Sequence, residues 1–155
     1  MTITAHVAVG CAVGLATGNP AAAFFAGWVS HHLADAIPHS DLGSAGGSVE
    51  DILKKKNSLR IVFIDIFLSF AVFLFVSHKT GYNQLVFWGV LGSILPDLVD
   101  NSPFWSVRMR NIFPANYFHL IHETIHCTIK KTRFFWVGAA TQLIVGGAAF
   151  FYIFR

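Results

Sequence analysis

The chain of 155 residues holds eight histidines, and most of them stand beside carboxylates. In Ser30-His31-His32-Leu33-Ala34-Asp35, His31 and His32 precede Asp35 by four and three residues, so both pairs are helical neighbours. His39 and Asp41 follow closely. Leu95-Pro96-Asp97 is followed by Asp100, again three residues on. The run Phe118 to His126 sets His119, His122 and His126 on one helical stripe at i, i+3, i+7. His6 stands near the start, and Asp65 interrupts an apolar run. Imidazoles paired with carboxylates build Zn, Mn and Fe sites, either as ligands or as groups that orient ligands. The candidate metal ligands are therefore His6, His31, His32, Asp35, His39, Asp65, Asp97, Asp100, His119, His122 and His126.

The composition says what must position them. The chain is 54% hydrophobic and 12% charged, with 16 Phe and 4 Trp, whereas soluble domains carry about 25% charged residues. Its mean hydropathy is +0.57. One domain of an integral membrane protein fits these values, and Gly and Pro are too few for disorder. The net charge of +3 comes without basic runs, which argues against a nucleic-acid partner and leaves membrane lipid and a small-molecule or lipid substrate. Cys11 and Cys127 cannot form a disulfide framework and are expected as free thiols.

The expected fold is an all-α membrane bundle of about five spans: 3–17, 20–37, 61–77, 82–95 and 134–154. Thr17-Gly18-Asn19-Pro20 closes the first two into a hairpin, which is either fully spanning or re-entrant. Gly10, Gly14 and Gly18 make a small-residue face expected to meet Ala21 to Gly27. A secretory signal would want Lys or Arg where His6 stands. Five crossings put Lys54, Lys55, Lys56, Arg60, Arg108, Arg110, Lys130, Lys131 and Arg133 on one side, against Lys79 and Arg155 on the other. The positive-inside rule makes that side cytoplasmic, in a bacterial or archaeal cytoplasmic membrane. Every histidine except His78 then lies at the cytoplasmic face, where a shared site would explain the gathering. His78 reads as an interfacial side chain. Asp65, about one turn inside the third span, must be paired and is expected to meet His6 or a metal. Asp97 after Pro96 also reads as a helix stop.

His122-Glu123-Thr124-Ile125-His126 matches H-E-x-x-H, the zinc-protease spacing in which Glu123 activates water. A single-metal site needs three protein ligands, and the surplus of candidates here suits one to three divalent ions working on a phosphoester. Thr4-Ala5-His6, Ser30 to Asp35 and Leu95-Pro96-Asp97 together resemble motifs of the bacterial membrane-bound metal-dependent hydrolases, an inner-membrane family distantly similar to zinc-dependent phospholipases C. The resemblance implies metal-related roles for His6, His31, Asp35 and Asp97. Here the Leu-Pro-Asp element follows the Ser-His-x-x-x-Asp element, the reverse of the family's usual order.

The expected activity is hydrolysis of a phosphorylated or lipid-like substrate from the cytoplasmic leaflet. A divalent metal, Zn before Mn or Fe, would supply water acidified to a pKa of about 7. Glu123 or Asp35 would serve as general base, and Arg108 and Arg110 would hold a phosphate or simply set topology. The stretch from Phe104 to Phe118 reads as an interfacial anchor or lid. Other classes share these residues: a membrane zinc metalloprotease, a di-iron lipid oxidase (though H-x-x-H-H boxes are missing), and a non-catalytic metal-binding or transport protein. Transport would want ionisable groups near the midplane.

Overall fold

A computed structural model describes residues 1–40, 55–102, 104–129 and 132–155; Asp41, Lys54, Lys130 and Lys131 lie outside them. Among the described residues the chain is helical with no strand: α1 (Ile3–Leu15), α2 (Pro20–Asp35), α3 (Lys56–Lys79), α4 (Gln84–Asp100), α5 (Ser106–Met109), α6 (Ala115–Ile125) and α7 (Phe135–Phe154). The hairpin forms where it was expected. Asn19 caps α2, its side-chain oxygen accepting from the Ala22 amide at 2.9 Å, and Pro20 takes the first helical position. Asn83 caps α4 in the same way through the Leu85 amide, at 2.9 Å.

Two helices differ most from the sequence reading. α3 extends beyond 61–77 at both ends. α4 does not stop at Pro96-Asp97 but runs on to Asp100 with Pro96 inside it. Pro96 removes one amide donor from that turn, and the turn survives because tertiary contacts hold it: Pro96 is fully buried, and the Ser93 carbonyl in the same turn accepts from His31.

α3 and α7 are long and apolar enough to cross a membrane. α1, α2 and α4 have 13, 16 and 17 residues. At about 1.5 Å of rise per residue each falls short of a ~30 Å hydrocarbon layer. Five full crossings therefore do not follow from helix lengths.

The small-residue faces pack, but against a different partner from the one expected. Gly10 and Gly14 of α1 and Gly27 of α2 all face α4, which presents Gly89, Gly92 and Ser93 to them. A Cβ on Gly14 would overlap the Leu85 carbonyl oxygen, one on Gly27 the Gly89 carbonyl, one on Gly89 the Gly10 carbonyl, and one on Gly92 the Phe24 carbonyl. Three backbones therefore approach to a distance that only glycine permits. Gly18 has nothing near it. α1 also packs against α3 and α7, so it has helices on four sides.

The apolar interior is built from small side chains, Val7, Cys11, Val76, Val86 and Val90. Cys11 is buried, Cys127 is exposed, and both are free thiols. The largest fully buried side chains are His6, His31, His39 and His122.

Gly89→Leu should lower stability by about 1–3 kcal/mol or prevent folding, because the added side chain has no space. Gly18→Ala should stay within about 0.5 kcal/mol of wild type. Melting temperatures in detergent would check both, and equal Tm values for the two variants would refute the close-packed trio.

Candidate metal centre

Four helices and two extended stretches deliver the site. α1 brings His6 and α2 brings His31 and Asp35. α4 brings Asp97 and Asp100, and α6 brings His122. His39 and His126 come from two extended stretches that pair side by side: the His39 amide donates to the Cys127 carbonyl at 3.2 Å, and the Ile129 amide to the His39 carbonyl at 2.7 Å. α7 clamps the first of these stretches. Thr141 Oγ1 donates to the Pro38 carbonyl at 2.9 Å and Gln142 Nε2 to the Ser40 carbonyl at 2.6 Å.

Asp35 is the centre of the arrangement and has no solvent exposure. Around its carboxylate lie His6 Nε2 and His31 Nε2 at 3.2 Å, His122 Nε2 and His126 Nε2 at 3.6 Å, and His39 Nε2 at 3.8 Å. The Met1 nitrogen also reaches Oδ1. Asp97, partly exposed, adds contacts of 3.7 Å to His122, 3.8 Å to His6 and 4.0 Å to His31.

The far side of these rings fixes which nitrogen faces inward. His31 Nδ1 lies 2.8 Å from the Ser93 carbonyl, and His39 Nδ1 lies 2.8 Å from the Ile37 carbonyl. A carbonyl only accepts, so both Nδ1 atoms carry the proton. His122 Nδ1 donates to Asp100 Oδ2 at 2.8 Å, and His126 Nδ1 is 2.8 Å from the Thr128 hydroxyl. When His31 and His122 are neutral, each then presents the lone pair of its Nε2 inward. Metal-binding histidines are oriented by this kind of contact at the outer nitrogen.

His31 Nε2 and His122 Nε2 face each other at 3.2 Å. Two lone pairs at that distance repel unless a proton or a cation lies against them. Two ligands held about 2.0–2.1 Å from a tetrahedral ion stand about 3.3 Å apart, close to the observed separation. His31, Asp35, Asp97 and His122 can place one donor atom each within 4.8 Å of all the others, and so can Asp35, His39 and His126. Asp35 belongs to both sets. Its Oδ2, like both ring nitrogens of His6, has no hydrogen bond among the described residues. Buried polar atoms without partners are costly, and a cation would satisfy them. Burial opposes charge on His122, yet its contacts with Asp100 and Asp35 outweigh that and raise its pKa to about 9, so positive charge is favoured at this ring and, without a cation, a proton supplies it. The donor set therefore fits a divalent ion.

The remaining sequence candidates fall outside this cluster. Asp65 is paired, as its position requires, but with neither His6 nor the cluster. It accepts from the Ile3 amide at 2.7 Å, the Thr4 amide at 3.1 Å and the Thr4 hydroxyl at 2.6 Å. A carboxylate at a helix N-terminus satisfies amides that have no other partner, so Asp65 anchors α1 and thereby His6. His32 points aside, its ring 5.6 Å from that of Trp28 and 6.3 Å from that of Phe118. Asp100 binds His122, His119 and Arg110 together, so it orients His122 from behind. Arg110 is thus engaged with Asp100, and Arg108 is exposed. Glu123 is exposed and groups with Asp100 and His119 on the outer side. His126 caps the end of α6 with extended backbone, so His122 and His126 do not share a continuous helix, and each joins a different donor set.

Sequence reasoning missed the Ser93 and Ile37 carbonyls and the Thr128 hydroxyl as orienting groups. No local signal marks them: Pro96 leaves the carbonyl four residues back, that of Gly92, without its helical donor, not that of Ser93.

Metal analysis of detergent-purified protein should find bound metal in wild type and in Asp65→Asn, and its near-complete loss in His31→Ala and Asp35→Asn. Asp100→Asn should weaken affinity by about 10–100-fold. Wild-type metal content in His31→Ala and Asp35→Asn would exclude the centre. No protein-family model, curated protein or solved structure matches this chain, so the centre is read from its own geometry.

Proposed function

We propose that the protein is an integral membrane, metal-dependent hydrolase cleaving a phosphoester or lipid-like substrate, in keeping with the membrane-bound hydrolases that its motifs resemble. The observation that carries this reading is the way two carboxylates divide their oxygens. Asp35 Oδ2 and Asp97 Oδ1 face His31 and His122, while Asp35 Oδ1 and Asp97 Oδ2 face His6. His31, Asp35, Asp97 and His122 make one donor set, and the oxygens turned to His6 would let the same carboxylates serve a second, adjacent ion. Paired ions of this kind clamp the attacking and leaving oxygens of a phosphoester and acidify water, which is the chemistry they would supply here.

The chain's own residues account for the rest. His6, His31, His122, Asp35 and Asp97 bind. The Ser93 carbonyl and Asp100 hold two of the imidazoles in the required tautomer. Both oxygens of Asp35 face imidazoles, which suits it to binding a cation. The zinc-protease reading is weaker, because Glu123 is exposed and His122 and His126 are divided between donor sets.

Membrane location is supported by the outer faces. Only 11% of the apolar window of α3 and 17% of that of α7 is buried, whereas a core helix of a soluble protein would be mostly covered. Phe67 and Leu143 are 71% and 77% exposed, and apolar surface on this scale wants lipid. In this reading α3 and α7 cross the bilayer and α1, α2 and α4 complete the bundle. Lys55, Lys56, Arg108 and Arg133 then favour a cytoplasmic face for the site.

Metal-loaded protein should hydrolyse a phosphodiester or phospholipid, and Asp35→Asn and Asp97→Ala should lose at least about 100-fold in rate. Casein cleavage abolished by Glu123→Gln would establish the protease instead. Bound metal without turnover on any of these substrates would reduce the protein to a metal-binding role.

A further inference from the structure

A shallow groove of about 310 Å³ runs between α2 and α4 and is closed at one end by α6. Its walls are Phe24 and Trp28 of α2, Leu95, Pro96 and Val99 of α4, and Phe118 of α6, all apolar. The groove lies beside the metal centre, whose residues stand behind its lining rings. Pro96 precedes Asp97 in the chain. The Phe118 ring lies 6.1 Å from that of His122 and 6.3 Å from that of His32, and the Trp28 ring lies 5.6 Å from that of His32. His32 in turn stands 5.2 Å from His31 and 5.7 Å from His122, ring to ring. It therefore forms the wall between hydrocarbon-like space and the imidazole cluster.

We propose that this groove holds one hydrocarbon chain of the substrate, so that the scissile phosphoester at the head of the chain lies against His32 and the Asp35 cluster. This deepens the hydrolase reading and rests on it for the chemistry. Two observations select a substrate chain over a water-soluble head group. The walls offer no polar side chain to recognise a soluble compound, and two of the lining rings, Trp28 and Phe118, lie against His32, with Phe118 also beside His122. Apolar pockets that finish in a few convergent polar groups are the usual form of a ligand site. His32 is explained at the same time: its Nδ1 is buried with no hydrogen bond among the described residues, at the point where a phosphoester oxygen would arrive.

The test uses hexadecyl phosphate carrying a diazirine at the far end of its chain, photolysed with the full-length protein in phospholipid vesicles, with labelled residues located by mass spectrometry. Saturable labelling of the α2 and α4 residues of the groove is expected, competed by unlabelled hexadecyl phosphate but not by inorganic phosphate. Val99→Trp, which fills the groove, should reduce that labelling by about tenfold or more. If Val99→Trp lowers the Tm and so fails as a folded control, Phe24→Trp serves the same purpose. Labelling spread over Phe67, Leu143 and other outward positions, without competition, would overturn the proposal. Saturable groove labelling in a protein that hydrolyses nothing would sink the hydrolase reading and leave the groove standing. Hydrolysis of a soluble phosphodiester with diffuse labelling would do the reverse.

Discussion

A carboxylate with no exposure to solvent needs positive charge around it, and Asp35 organises the molecule on that requirement. Removing an isolated carboxylate from water costs several kcal/mol even after relaxation. Asp35 offsets that cost with five imidazoles and the Met1 nitrogen, contributed from residues 1–39 and 122–126. Three of those imidazoles, His31, His39 and His122, are turned with Nε2 inward by two carbonyls and by Asp100. Such a shell is poorly neutralised by itself and well neutralised around a cation.

The close packing serves the same end. α4 reaches both α1 and α2 through glycine contacts, which brings Asp97 within 4 Å of His6 and His31. Bulkier residues at Gly10, Gly27 or Gly89 would move those backbones apart and separate the donors. The apolar interior is made of small side chains, so the fold has little large hydrophobic mass to bury centrally. Much of its exposed surface is instead Phe, Leu and Trp.

Part of this was legible from sequence. The hairpin was, because Asn19 and Pro20 are local signals whose chemistry does not depend on tertiary context. So was the gathering of His6, His31, Asp35, Asp97 and His122, because imidazoles and carboxylates in an apolar chain have few other uses. The helix stop at Pro96 was misread because burial and the Ser93–His31 contact override a local rule. Asp65 was rightly expected to be paired, but its partners are main-chain amides, which no side-chain pattern announces. The stripe from His119 to His126 looked like one ligand face. The structure divides it, since His119 and Glu123 turn to Asp100 and the helix ends at Ile125. Arg110 illustrates the same limit: a cation close to two carboxylates in sequence pairs with one of them before it is free to meet a phosphate.

X-ray absorption of the metal-loaded protein tests the central claim most directly. The account predicts a first sphere of nitrogen and oxygen at about 2.0–2.1 Å with outer-shell scattering from imidazole rings. It also predicts a metal–metal vector of about 3.5–4 Å when two ions are bound. A sphere of water oxygens without imidazole, unchanged by His31→Ala, would contradict it.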